Sequence, residues 1–187
     1  MNRRPPHANP ASTKLRSPRR ERGATLLEAT AFLAVAAIVI LGAVALFGVS
    51  FTGAKSARLT DETNAIAANV RALYSSPGAG GYAALSMTDL YHSGAFPTSL
   101  QATVSGADVT LTNMWGGAVS IAPGANSLPV LTYGNVPKAV CIDTLLSSGN
   151  WLSVTVNNTA LPTTSPTVAQ ATAACTGSSN TIAWGFS

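Results

Sequence analysis

Residues 19–28 read Arg19-Arg20-Glu21-Arg22-Gly23-Ala24-Thr25-Leu26-Leu27-Glu28, and no charged side chain follows from Ala29 to Ala54. An uncharged apolar run of that length suffices to cross a bilayer as one helix. A carboxylate at the mouth of such a run is expensive to bury, so Glu28 asks for a functional reason. Placed in the first turn of a helix, it also lies where the backbone dipole favours an anion.

Charge is distributed unevenly around this stretch. The formal net charge is +4, but Arg3, Arg4, Lys14, Arg16, Arg19, Arg20 and Arg22 all precede Gly23, opposed only by Glu21. Beyond Gly23 stand Lys55, Arg58, Arg71 and Lys138 against Glu28, Asp61, Glu62, Asp89, Asp108 and Asp143, a side-chain charge of −2. Binding to phosphates by charge therefore has little support in that part, and no nucleic-acid partner is expected. Residues 1–23 contain Pro5, Pro6, Pro10 and Pro18 and almost no large apolar side chain, so they read as a disordered or processed tail. Their basic side chains keep them cytoplasmic, which puts everything after Ala54 outside the inner membrane or beyond it. A secretory signal fits poorly, because the small residue precedes the apolar run instead of following it. A plain signal anchor fits the hydropathy.

From Ala24 to about Ser76 the chain is free of proline and reads as one helix: apolar over 24–54, amphipathic over 55–76. Arg58 precedes Asp61 and Glu62 at the spacing where helical side chains meet. Leu59, Ile66, Val70 and Leu73 form a stripe suited to packing on a domain. Pro77-Gly78-Ala79-Gly80-Gly81 stops the helix, and Ser86-Met87-Thr88-Asp89 opens a short one that Gly94 ends. Alternating patterns predict strands around Val109/Leu111, Val119/Ile121, Leu128/Val130, Leu152/Val154/Val156 and Ile182/Trp184/Phe186. Two helices interrupt them, one opening at Pro137 and stopping near Gly149, the other over 166–174. The expectation is an α+β head over 77–187, an antiparallel sheet packed on the amphipathic half of the long helix.

Cys141 and Cys175 are the only cysteines. Outside the cytoplasm they would form a disulfide, whereas two buried free thiols would need a reducing compartment. No CxxC pair or zinc ligand set is present. His7 lies in the tail and His92 at the end of a short helix, so no nucleophile–base–acid set assembles and neither an enzyme nor a cofactor is expected. Trp115, Trp151 and Trp184 lie on or beside strand patterns and read as core. Asn157-Asn158-Thr159 fits a glycosylation sequon, a pattern common by chance.

Arg22-Gly23-Ala24-Thr25-Leu26-Leu27-Glu28-Ala29, followed by the apolar helix, resembles the N-terminal signature of type IV prepilins. The resemblance implies cleavage by a prepilin peptidase between Gly23 and Ala24, methylation of the new N-terminus at Ala24, and a filament-assembly role for Glu28. The 23-residue leader, the large head and the C-terminal cysteine pair resemble the type IVb branch. Asn135-Val136-Pro137 and the closing Asn180-Thr181-Ile182-Ala183-Trp184 look similar to its conjugative and enteric members. Ala24 is smaller than the family's usual bulky or methionine residue, and the apolar half has no proline. The resemblance further implies a homo-oligomeric helical filament, an assembly ATPase with its inner-membrane platform, and an outer-membrane secretin. The inner membrane would hold the subunit before assembly and the extracellular pilus after it. Two alternatives share some of these features: a minor pilin or type II secretion pseudopilin, and an anchored binding domain that never polymerises.

Overall fold

The computed structural model describes residues 25–75, 81–124, 127–147 and 149–187. The expected cut at Gly23–Ala24 and most of the Pro77–Gly81 stop lie outside the described residues. Contacts divide the chain into two units, Met1–Ala43 and Val44–Ser187. The long helix α1, Leu26–Tyr74, belongs to both.

Within the second unit, the head-side half of α1 buries Leu59, Ile66, Ala67 and Val70 in one core with the sheet. The expected stripe is present except at its end, where Leu73 is 39% exposed beside an open hollow lined by Tyr74, Asp89 and Leu90. Polar ties fix this half of the helix at intervals. Arg58 Nε donates to Glu62 Oε1 at 3.0 Å, and Ser99 Oγ, far along the chain, donates to the same oxygen. Asn69 Nδ2 donates to the Ala95 carbonyl at 2.9 Å, and the Thr60 and Ser147 hydroxyls lie 3.2 Å apart. Arg71 donates to the carbonyls of Asn150 and Ser187 while its guanidinium sits 5.0 Å from the Phe186 ring centroid. Hydrogen bonds and a cation–π contact thus dock the helix where an apolar stripe alone could slide.

The sheet has seven antiparallel strands in the order β1-β2-β3-β4-β7-β5-β6. They are β1 Gln101–Ser105, β2 Asp108–Thr112, β3 Ala118–Pro123, β4 Pro129–Pro137, β5 Ser153–Val156, β6 Thr159–Ala160 and β7 Ser179–Gly185. All five predicted strands are present, and Leu111, Val119, Ile121, Val154, Val156, Ile182 and Trp184 are buried as their alternation predicts. Strand β4 departs in phase, burying Leu131 and Tyr133 where Leu128 and Val130 were expected, and Leu152 lies outside β5 at 56% exposure. Trp184 is fully buried, with Trp151 and Tyr133 packed on it at ring-centroid distances of 5.9 and 6.0 Å. The sequence patterns missed β1 and β6. Strand β1 has no buried residue, so burial imposes no alternation on it, and β6 is two residues long.

Two local devices shape the centre of the sheet. Asn113, 3% exposed, donates to the Gly134 carbonyl at 2.8 Å and accepts from the amides of Trp115 and Gly117 at 2.9 Å, closing the β2–β3 turn. Gly117 passes so close to β4 that a Cβ there would lie 1.9 Å from the Gly134 oxygen. Only glycine permits that approach.

Helix α2, Met87–His92, has the expected Ser86 cap, and Gly94 at φ +74° ends it as the left-handed residue of a Schellman motif. Helix α3, Lys138–Leu146, starts one residue later than expected, with Pro137 as its extended N-cap. Helix α4, Val168–Ala174, begins behind a complete Thr167–Gln170 capping box, a Thr-x-x-Gln pattern that the reading from Pro166 overlooked. Packing of α3 on α4 brings Cys141 and Cys175, both fully buried, into a disulfide with Cα atoms 6.1 Å apart.

Candidate assembly site

Thr25 stands just ahead of α1, and its Oγ1 accepts from the Glu28 amide at 3.3 Å. That contact satisfies one of the amides that a helix start leaves open. The Thr25-Leu26-Leu27-Glu28 spacing matches a capping box, and its threonine half is formed. The Thr-x-x-Glu pattern is local and is visible in the sequence alone. The Glu28 side chain is exposed and, among the described residues, has neither a hydrogen bond nor an ion pair.

On both sides of Glu28 the helix is apolar and bare, and it is long and apolar enough to cross a membrane. Leu26 is 85% exposed, Leu27 79% and Phe32 74%. No residue of its most apolar stretch is buried within the chain. Gly42 and Gly53 do not interrupt the helix, and a Cβ at either would meet nothing. The glycines are therefore not demanded by packing within this chain.

Among the described residues no cluster of His, Cys, Asp and Glu has the grouping of a metal site. Asn157 is exposed, but its amide nitrogen donates to Asn180 Oδ1 at 2.9 Å and to the Ala174 carbonyl at 3.2 Å. That nitrogen is committed to the turn, so the sequon has a structural explanation. The Tyr133 hydroxyl is buried facing Glu62 but outside hydrogen-bond geometry. Burial first, and then the negative charge of Glu62, push this phenol well above its usual range.

Of the residues singled out in the sequence, Cys141 and Cys175 are joined, Glu28 lies in the first turn of α1, and Gly23 and Ala24 fall outside the described residues. A buried helix–sheet head with a C-terminal disulfide, carried on a long apolar helix, is an architecture that can be compared with known proteins. Residues 54–187 match the protein family described as PilS N terminal. The chain belongs to that family. The crystal structure of the type IV b pilin from Salmonella typhi has a similar fold, with a TM-score of 0.60 and 22% sequence identity over 68% of this chain and 96% of that one. No curated protein matches the chain. Family and fold together make this a type IVb-like pilin: a long N-terminal helix, an antiparallel seven-stranded sheet and the Cys141–Cys175 disulfide. Such pilins are structural subunits.

Proposed function

We propose that this chain is the structural subunit of a type IVb-like pilus, cut by a prepilin peptidase between Gly23 and Ala24 and polymerised through α1. The observation that carries the reading is the unclad first half of α1, apolar on all sides with a lone carboxylate at its start. Exposed apolar surface of that extent needs cover. Lipid of the inner membrane would supply it before assembly, and the helices of neighbouring subunits after it.

Cleavage would turn Ala24 into a free amine, which is a cation at neutral pH. Glu28 of a neighbouring subunit would neutralise it inside a low-dielectric bundle. A desolvated ion pair contributes little net stability, because the loss of hydration offsets the attraction. Its work would be register, with Leu, Ile, Val and Phe packing supplying cohesion. An assembly ATPase, an inner-membrane platform and an outer-membrane secretin would do the work of export. The filament would be extracellular and serve adhesion, aggregation, conjugation or motility, with the chain itself performing no catalysis.

Intact-mass measurement of the exported protein tests the reading. The expected mass begins at Ala24 and is two hydrogens short for the disulfide, with one extra methyl group if Ala24 is methylated. An exported form that retains residues 1–23 would overturn it.

A further inference from the structure

Strand β1 is the longer of the two edge strands of the sheet, and among the described residues nothing guards it. It pairs with β2 through all five of its residues, from Gln101↔Thr112 to Ser105↔Asp108, and every one of its residues is exposed. Its sequence, Gln101-Ala102-Thr103-Val104-Ser105, holds no charge and no proline. Edge strands usually carry such residues, or a bulge or cover, to prevent pairing with another chain. The opposite edge is different: β6 spans two residues, and the Leu161 amide beyond it caps the Val154 carbonyl at 2.9 Å.

The direction of the free groups on β1 follows from its turn. Gly106 has φ +63° and Ala107 does not share the positive value, the pattern of a two-residue type II′ hairpin. Its closing pair, Ser105 and Asp108, is a hydrogen-bonded pair, and such pairs alternate along an antiparallel ladder. Thr103 and Gln101 therefore point their amides and carbonyls at β2, whereas Ala102 and Val104 point theirs outward. Among the described residues no hydrogen bond from another element reaches β1. The hairpin tip is held, since Thr88 Oγ1 donates to the Ala107 carbonyl at 2.7 Å.

We infer that β1 pairs antiparallel with β1 of a second copy of this chain, about a two-fold axis through Thr103. In that register all five residues of the strand find a partner; an axis through Ala102 or Val104 keeps the alternation but leaves two residues of β1 outside the pairing. Ala102 meets Val104 of the other copy on each side of the axis, and each pair exchanges both outward hydrogen bonds. The two Thr103 residues face each other as a close, non-hydrogen-bonded pair. Side chains agree with the backbone: Ala102 and Val104 share a face with Val109 and Leu111, so the apolar stripe runs on across the junction. Gln101, Thr103 and Ser105 make the other face wholly uncharged. The head is sparsely charged, with Asp89, Asp108, Lys138 and Asp143 its only charged residues after position 76, so repulsion between two copies is small.

The axis of such a pairing runs normal to the sheet on which the head-side half of α1 packs, so the contact sets these two helix segments antiparallel. It therefore cannot repeat along a filament whose subunits all point one way. On the pilus reading above, it joins heads of two filaments side by side, or two unassembled subunits.

Thr103→Cys in the full-length chain, purified in detergent and mildly oxidised, tests the pairing. A close antiparallel pair brings its Cα atoms within about 4.5 Å, inside the span of a disulfide. The native Cys141 and Cys175 are fully buried and do not compete. The comparison is Val168→Cys, on α4 at a position 63% exposed. Pairing makes the Thr103→Cys dimer form roughly tenfold faster or more, because the reaction becomes intramolecular. Equal rates overturn the inference. As a second measure, Thr103→Lys and Thr103→Asp chains should each sediment as monomers and associate when mixed; failure to associate on mixing also overturns it. Both measurements use unassembled chains, so a failed pilus reading leaves their outcome unaffected.

Discussion

Replacing both cysteines, Cys141→Ala with Cys175→Ala, isolates what the disulfide does for the head. The bond closes a loop of sequence separation 34 between the middle of α3 and the end of α4. In the chain-entropy account, freeing a loop of this length costs about 3.8 kcal/mol at 25 °C. Because both side chains are fully buried, the lost sulfurs add a cavity term of about 1 kcal/mol. Reducing the native protein without mutating it removes the loop constraint alone and separates the two contributions. For a head of this size the loop term corresponds to a melting point lower by roughly 10–15 °C. Urea titration of the full-length chain in detergent, followed by tryptophan fluorescence, reads it out. Trp184 and Trp151 are suited to this, being packed together in the core beside Phe186. A loss below about 1 kcal/mol on both routes would refute the reasoning. It would mean that the unfolded head keeps α3 and α4 together without the bond.

Four further outcomes are expected. Glu28→Val should leave membrane insertion and the head's melting curve unchanged while filaments fail to form, as judged by electron microscopy of sheared cell-surface material. Tyr133→Phe removes a buried hydroxyl that has no partner, so it should stabilise the head at neutral pH by about 1 kcal/mol in the same titration. Its pH signature is separate: the folded state holds the phenol protonated, so stability present below pH ~10 is lost as pH rises further, at up to about 1.4 kcal/mol per unit, and the phenylalanine variant lacks that slope. Asn113→Ala strands two amides and a carbonyl at the β2–β3 turn and should cost about 2–3 kcal/mol. Gly117→Ala should be worse, because its methyl group collides with the Gly134 carbonyl.

The parts of this molecule that a sequence can announce are those governed by local rules. Absence of charge from Ala29 to Ala54 is visible without any fold, and so is the stripe that buries Leu59, Ile66 and Val70. Strands with one buried face alternate, which is why β2, β3, β5 and β7 were legible, whereas β4 was placed but with its faces exchanged, since Leu131 and Tyr133 are the buried positions. Strand β1 was hidden because neither of its faces is buried. Gly106 was its local cue, at the first position of a type II′ turn. Asn113 lay beyond such rules, since its partners at Gly117 and Gly134 come together only once β3 and β4 pair. Leu73 shows the opposite failure. The helical period that buries Val70 continues through it, but the core ends there and leaves it half covered.

Glu28 and Glu62 bring these two kinds of information together, because they are the same residue type at two positions of one helix. Glu62 was legible as a surface partner of Arg58, four residues away. The fold makes it more than that: its side chain is only 11% exposed and also accepts from Ser99 on the far side of a loop. A carboxylate that must be desolvated is thus given donors from its own chain, and it anchors α1 to the head. Glu28 receives its helix cap from Thr25 but no donor for its carboxylate among the described residues. Its environment must nevertheless become apolar wherever the bare half of α1 is covered, whether by lipid or by other helices. A desolvated carboxylate without a donor is costly enough to shift the balance against burial. On the pilus reading proposed above, a neighbouring chain would supply that donor. An amine released at Ala24 is the cation that cleavage itself would create. On that reading the two glutamates divide the helix by the source of their partners, with Glu62 answered within the subunit and Glu28 on assembly.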